Sequence, residues 1–116
     1  MNRNYLVVLM AILLMACSSA QIMKTSLRVT VLDELGNPVE GATIQVYTND
    51  KDYRASTNPA VPMATTNAKG MVTIKDLDAK PYFLDVVKGD KDNRGAGYQT
   101  DVLQANRINK INIIIE

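Results

Sequence analysis

From Leu27 onward, apolar residues fall at every second position, which is the period of a half-buried strand and not of a helix. Leu27, Val29 and Val31 share one face, with Arg28 and Thr30 on the other. Ala42, Ile44 and Val46 alternate with Thr43, Gln45 and Tyr47, and Val72 and Ile74 with Thr73 and Lys75. Tyr82, Leu84 and Val86 alternate with Phe83, Asp85 and Val87, and Ile111, Ile113 and Ile115 close the sequence in the same way. No window carries a helical moment. The pattern predicts strands near 26–33, 42–48, 62–66, 70–75, 81–88, 98–104 and 108–115. Between them, Glu34-Leu35-Gly36-Asn37-Pro38 and Asn67-Ala68-Lys69-Gly70 supply residues that preset φ or accept a positive one, so both read as turns. One-sided strands at this spacing predict an all-β fold, a small antiparallel Greek-key β-sandwich of about seven strands. Followed up and down, they place 34–38, 67–70 and 89–97 at one end and 49–61, 76–80 and 105–107 at the other.

The turn segments carry a resemblance. Asp33-Glu34-Leu35-Gly36-Asn37-Pro38-Val39-Glu40-Gly41-Ala42-Thr43-Ile44 resembles the "D-x-x-G-x-P-x-x-G-A-x-V" opening of carboxypeptidase regulatory-like domains, which are transthyretin-like (prealbumin-like) sandwiches. Thr66-Asn67-Ala68-Lys69-Gly70-Met71-Val72-Thr73-Ile74 is similar to their "T-D-x-x-G" hairpin, and Leu77 through Tyr82 to Val86 to the strand that follows. Lys80 stands where a glycine is usual. The resemblance covers most of Leu27 to Val87 and implies a transthyretin-like fold. Gly36 and Gly70 fit tight turns, Pro38 suits a strand entrance, and Tyr82 is expected to bury its ring with one partner for its hydroxyl.

Ahead of the sandwich lies a different kind of segment. Arg3 precedes a charge-free apolar run, Tyr5 to Ala16, which is too short to span a bilayer and is followed by small residues. These are the parts of a secretory signal. Leu14-Met15-Ala16-Cys17 resembles the bacterial lipobox, with Met15 larger than is usual at its position. The resemblance implies removal of 1–16 as a lipoprotein-type signal peptide and lipidation of Cys17, the only cysteine in the chain. Residues 17–26 are then a tether, and 27–116 the domain. The expected location is a membrane-anchored lipoprotein of the cell envelope, on the outer membrane; cleavage after Ala20 instead gives a soluble periplasmic or secreted protein.

Charge narrows the function further. The chain has 13 Lys and Arg against 12 Asp and Glu; with Arg3 set aside, 12 of each remain, and no basic stripe with interleaved aromatics attracts nucleic acid. The absence of histidine removes the commonest general base and metal ligand, and with it the histidine-dependent hydrolase activity of transthyretin-like enzymes. Ser18, Ser19, Ser26 and Ser56 have no base placed by a motif, so no catalytic residue and no cofactor are expected. A related surface-protein sandwich crosslinks Lys to Asn with help from an acid, but the corresponding positions, Val31 and Val86, are apolar here. Asn109 and Asn112 then read as outward strand residues. Asp33, Glu34, Asn67, Asp90, Asp92 and Asn93 gather oxygen at one end, yet Asp90-Lys91-Asp92-Asn93-Arg94 lacks EF-hand spacing and holds two cations, so it reads as a solvated loop with no metal assigned.

Binding is the class that survives. The stretch from Thr48 to Pro62 is long for a compact domain, and it contains Tyr53 and Arg54. Sugar sites favour flat aromatics; Trp is absent, leaving Tyr47, Tyr53, Phe83 and Tyr98 as the available rings. The candidate partner contacts are Asp90, Asp92 and Arg94 at one end and Tyr53 and Arg54 at the other, for a protein or glycan. The sequence reads as a non-catalytic structural or binding module anchored by lipid. The alternatives are a fimbria-like subunit that self-assembles through the apolar last strand, and a hydrolase of undefined type.

Overall fold

The structure, a computed structural model, describes residues 24–116. The signal segment, Cys17 and the tether up to Met23 lie outside the described residues. The elements run β1 (Ser26–Leu32), β2 (Thr43–Tyr47), α1 (Asp50–Ala55), β3 (Ala64–Thr65), β4 (Met71–Ile74), β5 (Phe83–Lys88), β6 (Lys91–Asp92) and β7 (Ile108–Ile114). They form two sheets, β4-β1-β7 and β3-β2-β5-β6, which make the all-β sandwich that the alternation predicts.

The core is the inward set of each strand. Leu27, Val29 and Val31 of β1 meet Ile44 and Val46 of β2, Ile74 of β4, Leu84 and Val86 of β5 and Ile113 of β7, all buried. The period-two register therefore holds: Leu84 is 1% exposed, while Asp85 faces the opposite side of its sheet. Tyr82 is buried as expected, and its hydroxyl accepts a hydrogen bond from the Asp78 N–H at 2.8 Å.

Turn chemistry fixes the connections. Asp33 closes its turn by accepting from the N–H groups of Leu35 (3.0 Å) and Asn37 (2.9 Å). These bonds, that of Asn37 foremost, hold its carboxyl below the usual carboxylate range. Asn67 does the same for Lys69 and Met71. Gly70, at φ +72°, is also the most crowded of the glycines among the described residues: an added Cβ would lie 2.7 Å from the Val31 carbonyl oxygen. Buried Thr66 joins two chain crossings, its hydroxyl accepting from Ala42 N–H (2.9 Å) and donating to Val39 O (2.6 Å).

Three departures from the expected strands bear on function. First, β7 pairs with β1 in parallel, Ser26 opposite Ile108 through Leu32 opposite Ile114, although every other pairing is antiparallel. Second, the long loop folds Asp50–Ala55 into α1. Third, the strand expected over 98–104 is reduced to a single bridge, Phe83 with Gln99, and the edge pairing of β5 is taken by the two-residue β6. Asn109, expected to face outward, is instead a bracket. Its carboxamide accepts from Gln104 N–H (2.8 Å) and donates to the carbonyls of Ser26 and Gln104 (each 3.1 Å), pinning the entry to β7.

Candidate functional site

The outer face of the second sheet carries a side-chain cluster that two irregular segments build from opposite sides. The first is α1. Asn49 caps it, its side-chain oxygen accepting from Asp52 N–H at 2.8 Å; Asp50 and Asp52 sit in the first turn, where the helix dipole favours them, and Arg54 in the last. Ser56 ends it in the left-handed conformation. The helix lies over β2 and β5, so Tyr53 rests against the edge of Tyr47 (centroids 6.0 Å, 79°) and over Phe83 (6.1 Å). This cover explains why Tyr47 is only 1% exposed despite its outward position in the strand alternation.

The second segment is 93–97. Asn93 is fully buried, and its carboxamide stands in for a strand residue: it accepts from Val86 N–H (3.0 Å) and donates to Leu84 O (3.0 Å) and Gly97 O (3.1 Å). Along β5, pairing thus passes from β6 to the Asn93 side chain and on to Tyr98, whose carbonyl accepts from Leu84 N–H at 2.7 Å. The backbone between Asn93 and Gly97 bulges out, which carries Arg94 and Tyr98 onto the outer face. Tyr98 stacks on Tyr53 with centroids 4.7 Å apart and ring planes 7° from parallel.

Tyr53, Arg54, Ser56, Arg94 and Tyr98 line an open hollow of about 410 Å³. Arg54 places its Nε 2.6 Å from Asp50 Oδ2. Arg94 Nε lies 3.9 Å from Asp85 Oδ1, an ion-pair distance beyond hydrogen-bond length, so that buried oxygen has no hydrogen-bond partner among the described residues. Burial first, and the Asp85 charge second, push the Tyr53 phenol above its usual range, with Arg94 pulling weakly the other way. The phenol is accordingly a hydroxyl at neutral pH. Every lining side chain offers hydrogen-bond donors, and none is a carboxylate.

The residues expected at two separate ends are thus divided differently. Arg94 joins Tyr53 and Arg54 around one hollow, because the Asn93 bulge brings the chain back along β5. Asp90 remains at the exposed β5–β6 turn. Asp92 has structural duties: its carboxylate accepts from Arg94 N–H (2.9 Å), and its backbone exchanges two hydrogen bonds with Glu116. Tyr98 was one of four available rings, and nothing in the alternation distinguished it. The Gly95-Ala96-Gly97 run, unfit for a regular strand, was the signal that 93–98 would bulge.

No family model matches the sequence, and neither does any curated protein. Solved structures match in fold. The Bacillus anthracis TIE protein aligns with TM-score 0.59 at 18% identity over 80% of this chain and 17% of its own. A streptococcal ancillary pilin aligns with TM-score 0.58 at 17% identity over 83% of this chain and 33% of its own. The pilus 2b backbone protein of group B streptococcus aligns with TM-score 0.52 at 16% identity over 79% and 40%. The chain therefore spans less than half the length of each.

Proposed function

We propose that this chain is a non-catalytic binding module of the cell envelope, held at a membrane by lipid on Cys17, whose partner docks in the hollow between α1 and the Asn93 bulge. The observation that carries the reading is the hollow itself: two stacked tyrosines and two exposed arginines, from segments far apart in sequence, are set on a rigid sheet. Binding residues commonly sit on loops positioned by a scaffold in this way. The likeness to carboxypeptidase regulatory-like domains and the fold shared with pilus and TIE proteins fit a structural or binding role outside the cytoplasm. A non-catalytic role fits the absence of histidine and the place of Ser56, exposed at a helix cap. Attachment through lipid rests on the lipobox-like Leu14-Met15-Ala16-Cys17; among the described residues no helix is long and apolar enough to cross a membrane.

Two measurements test the reading. Cys17→Ser should release the protein into the soluble fraction, because acyl chains supply most of the membrane affinity of such anchors; a membrane-bound mutant, or wild type without lipid mass, refutes the anchor. A photo-crosslinker at Ser56 should capture a partner in intact cells, and Arg54→Ala with Arg94→Ala should abolish capture without altering the thermal melt. Capture indifferent to both arginines refutes the hollow.

A second reading, assembly of copies through β7, has its own observation: β7 is an edge strand paired only with β1, and Ile114 is 46% exposed on it. Size-exclusion chromatography against concentration separates the two readings.

A further inference from the structure

We infer that the hollow binds an anionic sugar, a carboxylated or sulfated residue within a polysaccharide; this rests on the reading of the hollow as the partner-binding surface. Four features point to that chemistry. The lining is made of donors: the hydroxyls of Tyr53, Ser56 and Tyr98 and the guanidinium groups of Arg54 and Arg94. Such a set is matched by a ligand rich in acceptors and carrying negative charge, which planar guanidinium groups recognise through paired N–H groups. The arginines are also available. Arg94 is 65% exposed and held by Asp85 at 3.9 Å, a distance that orients it by charge without consuming its N–H groups on that carboxylate. Arg54, 70% exposed, meets Asp50 through Nε.

The apolar part of the wall is flat. It consists of tyrosine rings, with no aliphatic pocket of the kind that holds a peptide side chain, and it suits the face of a sugar ring. Position on the sheet argues in the same direction. The hollow lies over the face of β5 and not along an open strand edge, so an extended peptide has no ladder to join there. Its volume, about 410 Å³, falls in the ordinary small-ligand range, and its open sides let a polymer enter and leave.

Cations are not confined to this place, which supplies the control. Arg28, Lys75 and Lys110 lie on the outer face of the first sheet and make no ion pair among the described residues, but no ring accompanies them there. General attraction between the chain and a polyanion would work through that face equally.

The test is titration of the full chain with polygalacturonate, dextran sulfate and neutral dextran. Binding to one or both charged polymers is expected, and which of them binds identifies carboxylate or sulfate as the recognised group. Arg94→Gln and Arg54→Gln should each weaken it at least about tenfold, the loss of one charge-assisted contact. Tyr98→Ala should weaken it as well, whereas Arg28→Gln with Lys110→Gln should leave it within about twofold. Equal binding of neutral dextran, no binding of either charged polymer, or equal loss in the first-sheet control overturns the inference. If the polymers fail but the Ser56 crosslinker still captures an Arg94-dependent protein, the sugar class falls and the hollow stands. If neither depends on Arg94, both fall.

Discussion

Asn93 shows how much one side chain can decide. Two of its three hydrogen bonds, from Val86 N–H and to Leu84 O, are buried, so Asn93→Ala strands an N–H and a carbonyl that have no water to turn to. We expect a loss of about 3 kcal/mol in chemical denaturation, at the upper end of the cost of an unsatisfied buried group, together with release of Tyr98 from Tyr53. Its role was hidden in the sequence: an Asn between Asp92 and Arg94 reads as solvated loop, because composition does not show that the amide replaces a backbone. Asp33 was legible by contrast, since an Asp ahead of a Gly-Asn-Pro turn has an evident use for its oxygens. Its carboxyl is held below the usual value by the Asn37 and Leu35 N–H groups. A group depressed in this way stabilises the fold above its unfolded pKa, about 3.9. The contribution then disappears as pH falls through the lower folded value. The stability gap between wild type and Asp33→Ala should therefore be constant near neutrality and close below about pH 4; a gap unchanged at pH 2 would assign the effect to shape alone.

Among the elements, the strands of the core were legible and the site-building segments were not, for a physical reason. Strands β1, β2, β4, β5 and β7 bury one face, so their period is written in apolar residues. Helix α1 buries no residue fully, and six residues leave no period to find. Its trace is polar: Asn49 before Asp50 and Asp52, and Asp50 four residues ahead of Arg54, are a cap, a dipole match and an i,i+4 pair. The expected strand at 98–104 is cut short because β6 and the Asn93 side chain take the edge of β5 from Lys88 to Val86, so that residues 98–100 find only its beginning, Tyr82 to Leu84, to pair with. Because Asn49 caps the first turn of α1, Asn49→Ala should cost about 1 kcal/mol. It should also loosen Tyr53, with a larger proportional effect on ligand affinity than on the melting midpoint. Equal effects would mean that the aromatic stack, and not the cap, positions the helix.

At the scale of the whole molecule, the sandwich and its register could be read ahead of the structure because a one-residue slip would have reversed every face. What alternation does not encode is the direction of a strand, and the parallel β1–β7 pair was missed for that reason. That pair has a mechanical consequence. The chain enters β1 at Ser26 and leaves β7 after Ile114, at opposite ends of one ladder that is closed by Ser26 N–H to Arg107 O and by Ile115 N–H to Leu32 O. Tension applied between the two termini loads those hydrogen bonds side by side, in shear, so they must yield together. Pulling between Lys24 and Lys110, which lie near the same end, would peel them one at a time. In single-molecule stretching the end-to-end direction should withstand several-fold more force than the peeling direction, a difference in unfolding rate under load and not in equilibrium stability. Equal forces would place the resistance elsewhere. Loaded from Ser26 to Ile114, the domain is a clasp that holds along the line of pull and opens across it.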